Sequence, residues 1–396
     1  MVTALISSVE KLSSFQECAE LENTLVGIAE RILEQNERRR RVAEALQKLK
    51  GRIDLTRVDE SEVKEVMEPS FIKAVERDGL ENVVVAGIDG GVLSQQLHGL
   101  DLILVRAVAA IFHYSGGELS AAEYSPGSVP SPRLISATEP LDARELELII
   151  GVERQLAELK LAVQALRTKS PDVLLLDGSI VSQYVDRFSH GSRLTKLYGK
   201  LMDAFSELYR SCTETGVPLA GVVKDSRSAR FIDIFRRKVL PSLEGGLPSD
   251  EALTFSKNME ILNNSRDTVL LDHVLNVGER SFTFSYAGNP ASALRDLDGW
   301  GSKIFAFYLK TVPYDRPLRV EFLDLNVGQS RIADRIASLV YALSAHHAAF
   351  GLPSVLIEAD VCARLSEEDL DMVRDSITAR LGPFAPMDLR RHMIPF

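Results

Sequence analysis

Cysteine is scarce in this sequence: Cys18, Cys212 and Cys362 are the only three in 396 residues, and no two of them form a C-x-x-C pair. This pattern excludes a zinc ribbon and argues against a disulfide-stabilised scaffold. Long apolar runs are also missing, since no stretch of about 18 apolar residues occurs and the first residues do not resemble a signal peptide. We therefore expect a cytoplasmic protein with no membrane-embedded part.

The sequence also lacks an excess of basic residues. It has 46 Lys and Arg against 56 Asp and Glu, a net charge of −10, whereas chains that bind nucleic acid are usually basic. This balance argues mildly against that class of protein, although a local basic patch could override it. The Walker A pattern G-x-x-x-x-G-K-[ST], which marks P-loop nucleotide-binding sites, is absent too. With 45% hydrophobic residues, the chain can nevertheless bury a large core.

Residues 1–80 are predicted to form an N-terminal helical arm. Apolar residues recur at roughly helical spacing up to about residue 50, where the basic run Arg38–Arg41 interrupts them, and Glu60–Glu76 is predicted as a helix kinked at Pro69. We interpret the basic run as a solvated face, with a phosphate or partner contact as the alternative. A long amphipathic helix ahead of the first strand could pair two subunits, which makes this arm a candidate dimerisation element.

Two short apolar runs each end in an aspartate followed by glycine. The first runs from Val83 to Asp89 and the second from Val173 to Asp177. Such runs are typical of strands buried on both faces, and open α/β sheets place their chemistry at the carboxyl ends of their strands. The alternative interpretation is two ordinary Asp-Gly turns.

The order of elements around these two runs predicts an α/β fold. Asp101–Tyr114 and Ser120–Tyr124 are predicted as further strands, Pro126–Pro140 as a loop, and residues 141–168 as a long helix before the Asp177 strand. This βββαβ order is what an RNase H-like mixed sheet flanked by helices requires, and we assign residues 81–396 to one such domain with insertions. Further helices are predicted at Leu194–Thr213, Phe231–Leu262 and Ser330–Phe350, and further strands at Val217–Val223, Val269–Leu271, Ser281–Tyr286, Ile304–Leu309 and Arg319–Leu323.

Two more acids are candidates for the same edge of the sheet. Pro353–Ala359 is predicted as a last buried strand that ends in Asp360. In the long helix, Glu158 lies on the same face as three apolar residues, Leu161, Ala162 and Ala165. A carboxylate on such an apolar face must form an ion pair, take up a proton or bind a cation. The same argument half applies to Glu153, so the pattern leaves the choice between Glu153 and Glu158 open.

These acids form a set of oxygen ligands that suits Mg²⁺ or Mn²⁺ rather than zinc. No Ser/His/Asp or Cys/His arrangement is evident, so the chemistry that fits is phosphodiester hydrolysis by metal-activated water. Lys224, at the end of a predicted strand, could contact a phosphate, with an ordinary surface lysine as the alternative.

From about Val83 to about Leu365 the sequence resembles the NurA nuclease family, the DNA-end-resection nucleases that act with the HerA hexameric translocase. Asp89-Gly-Gly is similar to the family's first-strand motif, and Leu176-Asp-Gly-Ser179 is the closest match. Arg154-Gln-Leu-Ala-Glu158 resembles its helix motif, which favours Glu158 as the ligand. Val223-Lys-Asp-Ser226 and Arg319-Val-Glu321 resemble its lysine and R-x-E motifs.

The C-terminal motif departs from the family pattern. Many members carry G-Y-P and then a strand that closes on Ala-His, with the Tyr and the His both implicated in activity. Here Leu352 stands in place of the Tyr and Asp360 in place of the His. An Asp can still bind Mn²⁺, whereas the missing Tyr removes a possible substrate contact or proton donor.

The resemblance implies a metal site formed by Asp89, Glu158, Asp177 and Asp360, with Lys224 as a further catalytic residue. It also implies Mn²⁺-dependent 5'-3' exonuclease and single-strand endonuclease activity on DNA ends in double-strand break repair, with Mg²⁺ as the alternative ion. The expected partners are single- and double-stranded DNA ends, a second copy of the chain that forms a ring-like channel, and a HerA-type hexameric ATPase.

Two other classes of function remain open from the sequence. An actin-like or sugar-kinase-type ATPase also places Asp-Gly turns at strand ends to hold Mg²⁺ and phosphates. Such an enzyme needs a glycine-rich adenine-binding turn in the second half of the chain, where only Gly245-Gly246 and Gly299-Trp-Gly301 are available. The second class is a catalytically weak scaffold on a translocase, which the altered Tyr and His positions would suit.

Overall fold

A computed structural model describes residues 2–56, 58, 64–77, 80–137, 141–182, 193–243, 248–288, 294–325 and 331–382, with the backbone alone for residues 2–19 and 193. Within these residues, eleven strands form one mixed sheet with helices on both faces. The strands are β1 (Ile72–Ala74), β2 (Val84–Leu97), β3 (Leu100–Ser115), β4 (Glu118–Ser125), β5 (Arg133–Ala137), β6 (Val173–Asp177), β7 (Leu219–Val223), β8 (Glu279–Ser281), β9 (Phe284–Ser285), β10 (Ile304–Lys310) and β11 (Leu318–Leu323).

Most of the helices follow a strand or precede one. They are α1 (Val2–Leu49), α2 (Ala143–Lys169), α3 (Arg193–Thr215), α4 (Arg230–Ile234), α5 (Leu240–Leu243), α6 (Ser249–Asn264), α7 (Asp267–Val274), α8 (Arg331–Leu343), α9 (Ser354–Ala363) and α10 (Glu367–Leu381). A π-helical turn, Phe235–Val239, joins α4 to α5. None of the described helices combines the length and apolar character that crossing a bilayer requires.

The centre of the sheet confirms the predicted RNase H-like topology. The strand order is β1-β8-β10-β11-β7-β6-β2-β3-β4. Strands β2, β3 and β4 form an antiparallel meander, α2 follows, and β6 then returns parallel to β2 while β7 lies parallel to β6. This is the predicted βββαβ unit extended by one strand.

Both faces of this central unit are covered by helices. Helices α2 and α3 pack on one face, against side chains such as Ile88 and Leu176. Helices α8 and α9 pack on the other face, against Val85, Leu175 and Val222. Since the parallel strands are buried on both faces, their sequences read as nearly continuous apolar runs.

Helix α1 is continuous through the basic run Arg38–Arg41 and ends at Leu49, which confirms the predicted helix up to about residue 50. Arg38 Nε donates a hydrogen bond to Asn258 Oδ1 at 3.2 Å, and Arg39 Nε donates one to Ser265 Oγ at 3.1 Å. The next turns of α1 bury apolar side chains against α4, α6 and α7. Two of the four arginines therefore attach α1 to the body of the protein, and Arg40 and Arg41 form ion pairs along the helix.

Several other predicted elements differ in the structure. Within the described part of Glu60–Glu76 the chain is not helical, and its end is β1, which pairs with β8. The predicted Pro126–Pro140 loop contains β5, and Val269–Leu271 lies in α7 and not in a strand. Short apolar runs fit both kinds of element, which explains the last error.

The most consequential difference concerns the predicted last strand. Residues 354–363 form helix α9, with Val355, Leu356, Ala359, Cys362 and Ala363 buried. These positions repeat at the spacing of a helix face, which an apolar run as short as Val-Leu-Ile hides. Asp360 therefore lies on a helix, and its prediction as a strand-terminal residue is wrong.

Candidate active site

Asp89 and Asp177 lie side by side because their strands are parallel neighbours. Strand β2 pairs with β6 through Ile88 and Leu176, so the next residue on each strand is an aspartate. Adjacent strands are about 4.8 Å apart. Asp177 ends β6 as predicted, whereas β2 continues through Asp89 and two glycines to Leu97. The predicted end of the first strand at Asp89 is therefore wrong, but the two acids still meet.

Glu158 reaches this pair from α2, and Glu153 does not. Glu158 is 8% exposed, and a Cβ built on Gly90 would lie 2.6 Å from its Oε1 atom. Glycine at position 90 thus leaves the space that this carboxylate occupies. Glu153 instead accepts a 2.6 Å hydrogen bond from Arg133, so the geometry favours Glu158 as the helix candidate.

Lys224 follows β7, the neighbour of β6 on its other side. Its Nζ atom lies 2.6 Å from Asp177 Oδ2, and its side chain is 40% exposed. The register that pairs Asp177 with Val222 brings this lysine to the carboxylate. Lys224 is thus part of the same cluster and not an isolated surface lysine.

Asp360 lies at the solvent-facing edge of the cluster. Its side chain is 44% exposed and its Oδ2 atom is 3.0 Å from Arg364 Nη2, one helical turn away. Its charge contributes to raising the pKa of Asp89, though less than burial, Asp177 and Glu158 do. Leu352, which stands where the family carries Tyr, is buried in the core beneath α9.

The cluster has an electrostatic signature of crowded acids. Burial, together with the charges of Asp177 and Glu158, raises the pKa of Asp89 to about 8. Burial raises the pKa of Glu158 to about 7, against the opposing charge of Arg154 and with the added charge of Asp177. Like charges that converge in a buried site favour protonation or a bound cation.

These residues fit a hard divalent cation. Glu158 Oε1 is buried and accepts no hydrogen bond from the described residues, although Arg154 Nη1 lies 3.0 Å away. Carboxylate oxygens are the ligands that Mn²⁺ and Mg²⁺ prefer. Among the described residues, no three His, Cys, Asp or Glu side chains are already arranged to hold a metal ion. Lys224 lies against Asp177, and Arg154 lies against Glu158.

A cavity of about 600 Å³ opens beside Glu158 and Asp177. Its wall includes Arg154, Ser179, Arg319 and Glu321, which belong to the motifs quoted in the sequence analysis but were not predicted as site residues, and Tyr286, which belongs to none of these motifs. Arg154 had a detectable signal, because it lies four residues before Glu158 on the same helix face. The contact between Ser179 and Glu321 joins residues 142 apart in sequence, and no local pattern predicts such a contact.

Comparison with known proteins gives one family match and several structural neighbours. The sequence profile of the NurA domain matches residues 83–365, and no curated protein matches the chain. The crystal structure of the NurA nuclease from Sulfolobus solfataricus superimposes with a TM-score of 0.54 at 15% sequence identity, covering 93% of this chain and 99% of that one. A crystal structure of NurA with manganese has a TM-score of 0.48 and 11% identity over 92% of this chain and 99% of that one.

Proposed function

Because the chain belongs to the NurA family, we propose that it is a metal-dependent deoxyribonuclease. The observation that carries this proposal is the convergence of Asp89, Glu158 and Asp177 beside a cavity. Lys224 belongs to the same cluster, since its Nζ atom lies 2.6 Å from Asp177 Oδ2. Such a set of hard oxygen ligands suits phosphodiester hydrolysis. The finer proposal is a Mn²⁺-dependent 5'-3' exonuclease and single-strand endonuclease, with Mg²⁺ as the alternative ion.

In this proposal Asp89, Glu158 and Asp177 would hold the ion, and Asp360 would add a carboxylate at the solvent-facing edge of the cluster. A divalent ion held there supplies Lewis-acid chemistry, which acidifies water and neutralises charge on the phosphate. Lys224, whose Nζ atom lies 2.6 Å from Asp177 Oδ2 and whose side chain is 40% exposed, would supply a positive charge to a phosphate oxygen bound beside the carboxylates.

The biological setting follows from the family and from what the sequence lacks. We propose that the enzyme resects DNA ends during double-strand break repair together with a HerA-type hexameric ATPase. The chain has no Walker A pattern of its own, so movement along DNA would depend on such a motor. A net charge of −10 is compatible with DNA that a second protein delivers.

The test is a cleavage assay on end-labelled single- and double-stranded DNA with Mn²⁺, Mg²⁺ or EDTA, with and without a HerA-type ATPase. We expect cleavage in Mn²⁺, none in EDTA, and loss of cleavage in Asp89→Asn and Asp177→Asn. Glu153→Gln is the matched control, since it removes an acid from the same helix as Glu158 and should cleave like the unmodified protein. Nucleotide binding without any DNA cleavage would point to an ATPase instead, and DNA binding without cleavage would point to a scaffold.

A further inference from the structure

The cavity continues past the carboxylates to a second polar wall. Arg319, Tyr286 and the segment Ser226–Ser228 line this wall, and Arg319 is only 4% exposed. Its Nη1 atom is buried and donates no hydrogen bond to the described residues. A buried guanidinium N–H without an acceptor is costly, so a site of this kind favours an incoming oxygen ligand.

The guanidinium of Arg319 is held in one orientation by its neighbours. Arg319 Nε donates a 2.7 Å hydrogen bond to Glu321 Oε1, and Ser179 Oγ donates a 2.5 Å hydrogen bond to Glu321 Oε2. The guanidinium carbon lies 5.1 Å from the centre of the Tyr286 ring. Burial disfavours the charged form, but Glu321 and the nearby tyrosines raise the pKa of Arg319 above its ordinary value, so the group remains a cation.

The strand register places this cation at a distance from the carboxylates. Arg319 on β11 pairs with Val223 on β7, and Val222 on β7 pairs with Asp177 on β6. Two strand spacings, about 10 Å, therefore separate the Asp177 and Arg319 backbones. An ion bound between Asp89 and Asp177 and a group bound by Arg319 would thus contact different parts of an extended ligand.

We propose that Arg319 Nη1 binds a non-bridging oxygen of the phosphate next to the scissile one on the cleaved DNA strand. This inference rests on the nuclease function proposed above and assigns the second wall of the cavity as its phosphate subsite. A planar guanidinium suits phosphate oxygens, and the volume of about 600 Å³ is in the range of nucleotide-sized pockets. Arg319 thereby sets the register of the strand over the catalytic carboxylates.

The test replaces one phosphate at a time by a neutral methylphosphonate on either side of the cleaved bond. It measures single-turnover cleavage by the unmodified protein and by Arg319→Lys, which keeps a cation for Glu321 but lacks the Nη1 donor. One charge-assisted hydrogen bond corresponds to a loss on the order of 10- to 100-fold. We expect the unmodified protein to lose this much cleavage rate when the methylphosphonate stands at one position next to the cleaved bond. Arg319→Lys should lose the same amount on ordinary DNA. Arg319→Lys on the methylphosphonate DNA should show no further loss.

Arg280→Lys is the matched control, because Arg280 is also buried in this sheet and paired with a glutamate, Glu68, but does not line the cavity. It should keep the full methylphosphonate penalty. Two results would overturn the subsite: an Arg319→Lys variant that cleaves like the unmodified protein, or an undiminished methylphosphonate penalty at every position in that variant. Fluorescence anisotropy with Ca²⁺ in place of Mn²⁺ measures binding of the same oligonucleotides. The same pattern in binding without any cleavage would uphold the subsite and refute the nuclease function.

Discussion

Asp89 and Glu158 are buried acids whose charged forms the fold disfavours. Both have a pKa above its ordinary value, about 8 for Asp89 and about 7 for Glu158, mainly because of burial. Without a bound ion, the two acids therefore lower the free energy of unfolding at the position where the metal site is proposed. Strongly shifted pKa values in a cavity are a common mark of functional sites.

This cost predicts how stability depends on pH without a divalent ion. Folding raises the pKa of Asp89 to about 8 and that of Glu158 to about 7. From about pH 4 up to these values, the folded protein therefore holds protons on the two acids that the unfolded chain has released. The free energy of unfolding should therefore be highest below this window and fall as pH rises through it. Urea denaturation in EDTA from pH 5 to pH 8.5 measures this slope.

Asp89→Asn should flatten that slope, since an amide does not titrate, while Glu153→Gln should leave it unchanged. Addition of Mn²⁺ should restore stability most at the alkaline end of the window, where ion binding has the fewest protons to displace. An identical slope in the unmodified protein and in Asp89→Asn would show that this acid is not held in the raised state.

Asp360 leads to a second prediction at the residue scale. It stands where many family members carry His, and both side chains can bind Mn²⁺. Asp360→His should therefore keep activity. Asp360→Ala should weaken Mn²⁺ affinity by about 10- to 100-fold, as expected for a partner at the edge of a metal site. Titration calorimetry measures both affinities; loss of all cleavage in the His variant would assign Asp360 a different role.

Helix α9 lies against β2 through glycines, and this packing sets where Asp360 lies. A Cβ built on Gly91 would come within 2.1 Å of the Ala363 carbonyl oxygen, and one on Gly87 within 2.8 Å of the Val355 carbonyl oxygen. Both contacts are with backbone atoms, so a side chain at either position would displace the helix. The two glycines thus explain how α9 can pack so closely against β2.

Gly91→Ala should consequently destabilise the protein by about 1–3 kcal/mol, the usual cost of overpacking, and should lower Mn²⁺ affinity by moving Asp360. Gly127→Ala is the control, because no atom lies within 4 Å of a Cβ at that position. Urea denaturation of the two variants gives the comparison. A Gly91→Ala protein as stable as Gly127→Ala would show that α9 does not depend on this close contact.

At the scale of the whole molecule, α1 presents apolar side chains to solvent over three turns. Leu21, Leu25, Ile28 and Ile32 are 59%, 51%, 41% and 52% exposed and follow one another at intervals of four, three and four residues. This spacing is that of a helix face that pairs with another helix. It is the observation that supports the dimer expected from the sequence, with α1 of a second copy as the partner.

Leu25→Glu combined with Ile32→Glu should therefore convert a dimer into a monomer in light scattering, without a change in the thermal unfolding of the core. Leu119→Glu is the control, since this leucine is about equally exposed but lies on β4. Removal of residues 1–50 would be a poorer test, because Val42 and Leu46 are fully buried in the body of the protein. A double variant that stays dimeric would refute α1 as the contact.

The sequence was most informative where a local pattern coincides with a structural constraint. Asp89 and Asp177 could be found because each closes a short apolar run that is typical of a strand buried on both faces. Their proximity depends on the parallel register of β2 and β6, which no local pattern contains. Helix α9 was not predicted because Val355–Asp360 fits the period of a strand as well as that of a helix. The hydrogen bonds from Arg319 and Ser179 to Glu321 could not be predicted because they depend on tertiary packing. Individual site residues could thus be predicted from local sequence patterns, whereas the way in which they form a cavity could be seen only in the structure.

Measurement of Mn²⁺ binding tests the central claim, that acids distant in sequence hold one divalent ion together. Calorimetric titration of Mn²⁺ into the unmodified protein, Asp89→Asn, Asp177→Asn and Glu153→Gln makes the comparison with no DNA present. We predict that the unmodified protein and Glu153→Gln bind Mn²⁺ with equal affinity, and that each aspartate variant loses at least about tenfold. Equal Mn²⁺ affinity in all four proteins would contradict the account.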